Sequence, residues 1–152
     1  MPEVGVILGS KSDLQLMESC LRQLAEFDID SELKICSAHR DPAGVMEWAS
    51  TARRRGLKIV IAAAGGAAHL PGVVAAWTDL PVVGVPMPTP HLGGVDSLYS
   101  IVQMPAGIPV ATMAIGEAGA RNAAWFAARV LAVSDPELAG RHRDKRQALA
   151  NP

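Results

Sequence analysis

Ile59-Val-Ile-Ala-Ala-Ala-Gly-Gly-Ala-Ala-His-Leu-Pro-Gly72 runs from an unbroken apolar segment, through backbone almost bare of side chains, to a proline suited to a first helical turn. Apolar residues without polar alternation describe a strand covered on both faces, as in a parallel sheet. Parallel strands need a crossover between them, and a short helix expected after Pro71 supplies one. The apolar runs Val4–Leu8, Leu33–Cys36, Val82–Val85 and Val110–Ile115 repeat the theme, with helix-compatible segments between them. The rhythm predicts an α/β fold with about five parallel strands, buried on both faces, in one layered unit.

The helices have their own punctuation. Ser12 with Gln15 three residues on gives a capping-box start, and Leu16, Cys20, Leu24 and Phe27 form an apolar stripe behind it. Asp41-Pro42 opens a second helix that stops before Gly56. A fourth is expected from about Asp96, a fifth over Glu117–Leu131, and a helical segment rich in Arg and Lys from about Pro136. Trp48, Trp77 and Trp125 fall within helix-like segments and are read as packing residues. No linker or repeat divides the chain, so residues 1–152 form a single domain.

A chain of 152 residues removes roughly 70% of its unfolded surface from water, enough for a real core. It is 49% hydrophobic but only 4% aromatic, so small aliphatic side chains supply most of the packing. A mean hydropathy of +0.20 implies that some apolar helix faces are covered by neighbouring subunits. The net charge of -1 gives no basic field for nucleic acid and favours a small ligand. No run reaches the roughly 18 apolar residues of a membrane span. Met-Pro-Glu at the start lacks the basic region of a signal peptide, so the expected location is the cytoplasm. Cys20 and Cys36 make no C-x-x-C pair and read as reduced packing thiols. Arg141, Arg143, Lys145 and Arg146 lack aromatic partners and read as a solvated or intersubunit helix rather than a nucleic-acid tail.

In parallel α/β sheets, ligands gather beyond the carboxyl ends of the strands. Three segments fall there. Gly9-Ser-Lys-Ser-Asp13 offers close backbone approach and hydroxyl donors at a helix start, with Asp13 better suited to sugar hydroxyls than to phosphate. Ser37-Ala-His-Arg-Asp-Pro42 places His39, which moves protons near neutral pH, beside Arg40, which grips an anion with paired hydrogen bonds. Gly65–Gly72 can lie flat against a planar ring, with His69 nearby. Each segment taken alone also has a structural explanation: an ordinary cap, a turn with Arg40 paired to Asp41, or tight strand-to-helix packing. Together they describe a pocket for an anion and a heterocycle. The scattered His39, His69, His91 and His142 have no metal-ligand spacing, and neither a dinucleotide fingerprint nor a P-loop is present.

At these residues the sequence resembles the class I PurE family, the N5-carboxyaminoimidazole ribonucleotide mutases of de novo purine (IMP) synthesis. The resemblance is carried by Gly9–Asp13, Ser37–Arg40, Gly65–Gly72, and Asp96-Ser-Leu-Tyr-Ser-Ile-Val-Gln-Met-Pro105 followed by Gly107–Thr112. It implies a three-layer flavodoxin-like fold, a homo-octamer, and transfer of a carboxyl group from the exocyclic nitrogen of an aminoimidazole ribonucleotide to ring carbon C4. It implies no cofactor and no metal. By motif position, His39 is the acid/base. Ser10, Asp13, Ala38 and Arg40 bind substrate, with Ser12 and Ser37 near the phosphate. Gly66, Ala67, Ala68, His69 and Leu70 border the ring and carboxylate. The sequence departs from the family pattern at Asp41, where Thr is usual, and in the proline-rich loop Met87–Gly93, which carries His91. Direct carboxylation of aminoimidazole ribonucleotide, the class II activity, and a nonenzymatic nucleotide-binding module are the alternatives.

Overall fold

The computed structural model describes residues 1–151. Its central sheet is five-stranded and wholly parallel: β1 (Val4–Leu8), β2 (Ser31–Ile35), β3 (Ile59–Ala64), β4 (Val82–Pro86) and β5 (Ala111–Thr112), in the order β2-β1-β3-β4-β5. That order is the flavodoxin-like one, with its switch point between β1 and β3. Six α-helices cover the sheet: α1 (Leu14–Glu26), α2 (Pro42–Ser50), α3 (Leu70–Trp77), α4 (Val95–Val102), α5 (Glu117–Ala132) and α6 (Pro136–Ala150).

The alternation of side chains sorts each central strand between two cores. Val4, Val6, Leu8, Ile59, Ile61, Ala63, Val83 and Val85 face α1 and α5, where Met17, Cys20, Leu24, Phe27 and the alanines of α5 pack. Ile7, Val60, Ala62, Ala64 and Val82 face α2, α3 and α4, with Val45, Trp48, Leu70, Val74 and Ile101 opposite. On that second face Gly5 leaves room for an indole: a Cβ there would lie 2.7 Å from Leu57 Cδ1 and 2.8 Å from Trp48 Cη2. Alanine-rich α5 lies close against α1 because its buried face is nearly flat.

Several expectations are corrected at the edges. β2 begins at Ser31 rather than Leu33, and most of it is exposed on the isolated chain, Leu33 to 43%. It has one neighbour in the sheet, so it lacks the two-sided burial of β1, β3 and β4. β5 shrinks from the expected Val110–Ile115 to Ala111–Thr112, because only β4 pairs with it. Ser12 does not cap the first helix. Instead Ser10 Oγ accepts from the Ser12 N–H at 3.3 Å, and a single 3-10 turn, Lys11–Asp13, leads into α1. The third helix starts at Leu70, so Pro71 lies inside its first turn. Trp48 and Trp125 pack, but Trp77 is 48% exposed.

The α6 segment docks through specific contacts. Arg141 Nε donates to Phe27 O at 3.1 Å, and buried His142 stacks on the Phe27 ring and meets Trp125 edge-on. Burial, with the nearby Arg129 and Arg146 cations, lowers the His142 pKa. Both cysteines are free and buried, and burial pushes the Cys20 thiol up to about 12. Among the described residues, no helix is long and apolar enough to cross a membrane.

Candidate active site

The sheet's hydrogen-bond ladder continues past the strand ends into the loops. Gly9 N donates to Ala63 O at 3.2 Å, Cys36 N to Leu8 O at 2.9 Å, and Met87 N to Ala64 O at 2.9 Å. The loops after β1, β2, β3 and β4 are thereby fixed together at the carboxyl end of the sheet. Between them lies a cleft of about 440 Å³.

Each wall has a local cause. After β1, Ser10 Oγ accepts from the Ser12 N–H and the Ser12 hydroxyl, so the loop folds tightly and directs Asp13 into the cleft. Burial raises the Asp13 pKa, against an opposing backbone hydrogen bond from Ser10. After β2, the Arg40 N–H donates to Ser37 Oγ at 3.2 Å and Asp41 N to Ser37 O at 2.9 Å, closing a turn that presents His39 and Arg40. Asp41 then caps α2, its Oδ1 accepting from Gly44 N–H at 3.0 Å. Arg40 makes no ion pair among the described residues, so its guanidinium is available to an anion. After β3, Gly66 takes φ +69, a conformation that suits glycine, and a Cβ there would meet nothing within 4 Å. Its open side faces the cleft, and the chain returns through Ala67 to His69.

The relation that links two walls is a 2.7 Å hydrogen bond between His39 Nε2 and His69 Nδ1. The rings meet edge to face, centroids 4.8 Å apart. One imidazole nitrogen donates and the other accepts, so the pair can hold or pass a proton. Arg40, the hydroxyls of Ser10, Ser12 and Ser37, and the flat Gly65–Ala67 backbone complete a site able to hold an anion and a planar ring.

Ser10, Ser12, Asp13, Ser37, Ala38, His39, Arg40, Gly66, Ala67, His69 and Leu70 all line the cleft. Ala68 does not; it is 1% exposed and faces the α2/α3 core. Sequence reasoning left out Thr89, which reaches the cleft from the loop after β4. Its hydroxyl donates to Asp96 Oδ1 at 2.7 Å and accepts from Gly94 N–H at 3.1 Å. That bond holds the Asp96 carboxyl below its usual range. The signal was the polar Thr in a run of prolines. His91 does not line the cleft. Among the described residues, no three His, Cys, Asp or Glu side chains converge as metal ligands.

The family described as AIR carboxylase matches residues 3–151. An N5-carboxyaminoimidazole ribonucleotide mutase of Aquifex aeolicus is 58% identical, over 91% of this chain and 81% of that protein. The mutase of Vibrio vulnificus is 53% identical, over 99% of this chain and 96% of its own length. The crystal structure of Treponema denticola PurE superposes with a TM-score of 0.88 at 29% identity, covering 99% of this chain and 93% of that one. With the parallel sheet, the strand order and this relatedness along nearly its whole length, the chain belongs to the AIR carboxylase family.

Proposed function

We propose that this chain is an isomerase of de novo purine biosynthesis, converting N5-carboxyaminoimidazole ribonucleotide to 4-carboxy-5-aminoimidazole ribonucleotide, with His39 as the proton carrier. The observation that carries the reading is His39 itself, in the cleft beside Arg40 and bonded to His69. Relatives more than half identical over most of this chain are named as that mutase.

The chemistry suits these residues. Protonation of the carbamate nitrogen by His39 lets the N–C bond break, and carbon dioxide leaves with aminoimidazole ribonucleotide as its partner. The electron-rich C4 attacks the retained carbon dioxide, forming the C–C bond. His39 removes the surplus C4 proton, which restores the aromatic ring and the starting imidazolium. One base serves both steps. Arg40 and the serine hydroxyls hold the phosphate end while the Gly66–His69 backbone lies against the ring, so the released carbon dioxide meets a positioned carbon.

The same reading includes a cytoplasmic setting, consistent with two free cysteines. It also includes a homo-octamer, for which exposed Trp77, Tyr99, Val102 and Phe126 offer apolar surface. The alternative is direct carboxylation, the activity in the family's description. To separate them, the protein is offered the N5-carboxylated ribonucleotide and, separately, aminoimidazole ribonucleotide with bicarbonate, while C4-carboxylated product is followed. Rapid turnover of the first supports the mutase. Rapid turnover of the second alone overturns it.

A further inference from the structure

The segment Asp96–Ser100 is part of the Asp96–Pro105 motif and packs beneath the loops that form the cleft. It lies on α4, behind the cleft rather than in it. Ser97 is 0% exposed. Its hydroxyl accepts from the Gly66 N–H at 2.9 Å and donates to the Met87 carbonyl at 2.7 Å. A hydroxyl has one proton to give, and here it gives that proton to one loop and accepts one from the other. The two partners belong to different loops, one after β3 and one after β4. Ser100 Oγ adds a contact to Gly66 O at 3.2 Å. From that anchored residue, Ala68 N donates to Gly66 O and His69 N to Ala67 O, each at 2.8 Å. Ser97 thus holds Gly66, and from there a covalent backbone folded by these two short contacts leads to His69, whose ring meets His39.

We propose that Ser97 is a positioning residue for the carboxyl transfer. Its buried hydroxyl fixes the spacing of the two loops, and through Gly66 it sets the angle at which His69 meets His39. In kinetics the proposal rests on the mutase reading, but the imidazole pair reports on it without turnover. Water cannot easily replace a bridging hydroxyl in a site closed to solvent, so removal of that oxygen leaves both loops free to shift. A shift of this kind costs catalysis more than binding, because the proton must travel along a defined line.

The experiment compares wild type, Ser97→Ala and Ser97→Thr in steady-state kinetics and by the ring-nitrogen NMR signals of His39 and His69. In Ser97→Ala, kcat is expected to fall by about tenfold or more while KM stays within about threefold, and the two histidine signals move. Ser97→Thr keeps the hydroxyl and recovers part of kcat and of the signal positions. Unmoved histidine signals in a folded Ser97→Ala, or a kcat within about twofold of wild type, overturn the proposal. A loss of thermal stability without either change does so as well. Should Ser97→Ala not fold, Ser97→Cys replaces it, keeping the volume while weakening the bridge. Should wild type fail to convert the N5-carboxylated substrate, the mutase reading falls, and the NMR comparison still decides the role of Ser97.

Discussion

His69 Nδ1 stands 2.7 Å from His39 Nε2, joining two loops that leave different strands. The proposed mechanism makes the two residues unequal: there His39 exchanges the proton with the substrate nitrogen and carbon, and His69 fixes its ring. His39→Asn is expected to keep ribonucleotide binding but lose roughly 10²–10⁴-fold in kcat, the usual range for a general acid–base group. His69→Asn should lose less, about tenfold. Single-turnover rates with binding measured by calorimetry check the ordering; equal losses would mean that the proton step belongs to both rings.

Asp13 is held in the cleft at a cost to the fold. Burial lifts its folded-state pKa above the unfolded value, so over that window the folded form keeps a proton that the unfolded chain has released. Stability therefore falls as pH rises through the ordinary carboxylate range towards the raised value, and stays lower at neutral pH. Asp13→Asn removes this penalty. The variant should melt higher than wild type at pH 7, with the gap closing as the solution is made acid, while its KM for the ribonucleotide rises. A lower melting point at pH 7 would show that the carboxylate is satisfied by contacts stronger than its desolvation.

Gly5 tests the packing under the site. A methyl at this position would press on Leu57 and on the Trp48 indole. Trp48 is also held from outside by Arg55, whose guanidinium lies 5.2 Å from the ring centroid. With no easy retreat for the indole, Gly5→Ala should destabilise by roughly 1–3 kcal/mol. Urea unfolding measures it; a change below about 0.5 kcal/mol, the usual scale for surface substitutions, would show that α2 can lift away without loss.

Much of this molecule is legible in its sequence where burial is complete. β1 and β3 have the bounds their apolar runs predict, and β4 nearly so, since strands covered on both faces leave no polar alternation to blur them. The edges read less well. Leu33 and Ile35 look like core residues in sequence but are exposed on the isolated chain, and a neighbour for that face is not encoded in local pattern. The choice between Ser10 and Ser12 as cap depends on one turn of backbone that both serines permit. The site residues were recognisable as separate motifs because turn chemistry is local. The His39–His69 contact was not, since it depends on how two loops thirty residues apart in the chain meet. The contacts of Ser97 are hidden for the same reason: a serine in an amphipathic helix shows nothing of the one carbonyl and one amide behind it.

The strand order β2-β1-β3-β4-β5 has a consequence for how this site comes into being. β1 lies between strands that leave the chain later, and the pairing of Val4 with Ile59 spans more than fifty residues. Such long-range closure is a slow part of folding for parallel sheets. Neither His39 nor His69 has its partner until β1 has taken its place between β2 and β3, and Gly66 has no brace until α4 docks. The cleft therefore needs the closed sheet, and recovered turnover during refolding reports on that closure, since its walls come from loops spread over residues 9–89.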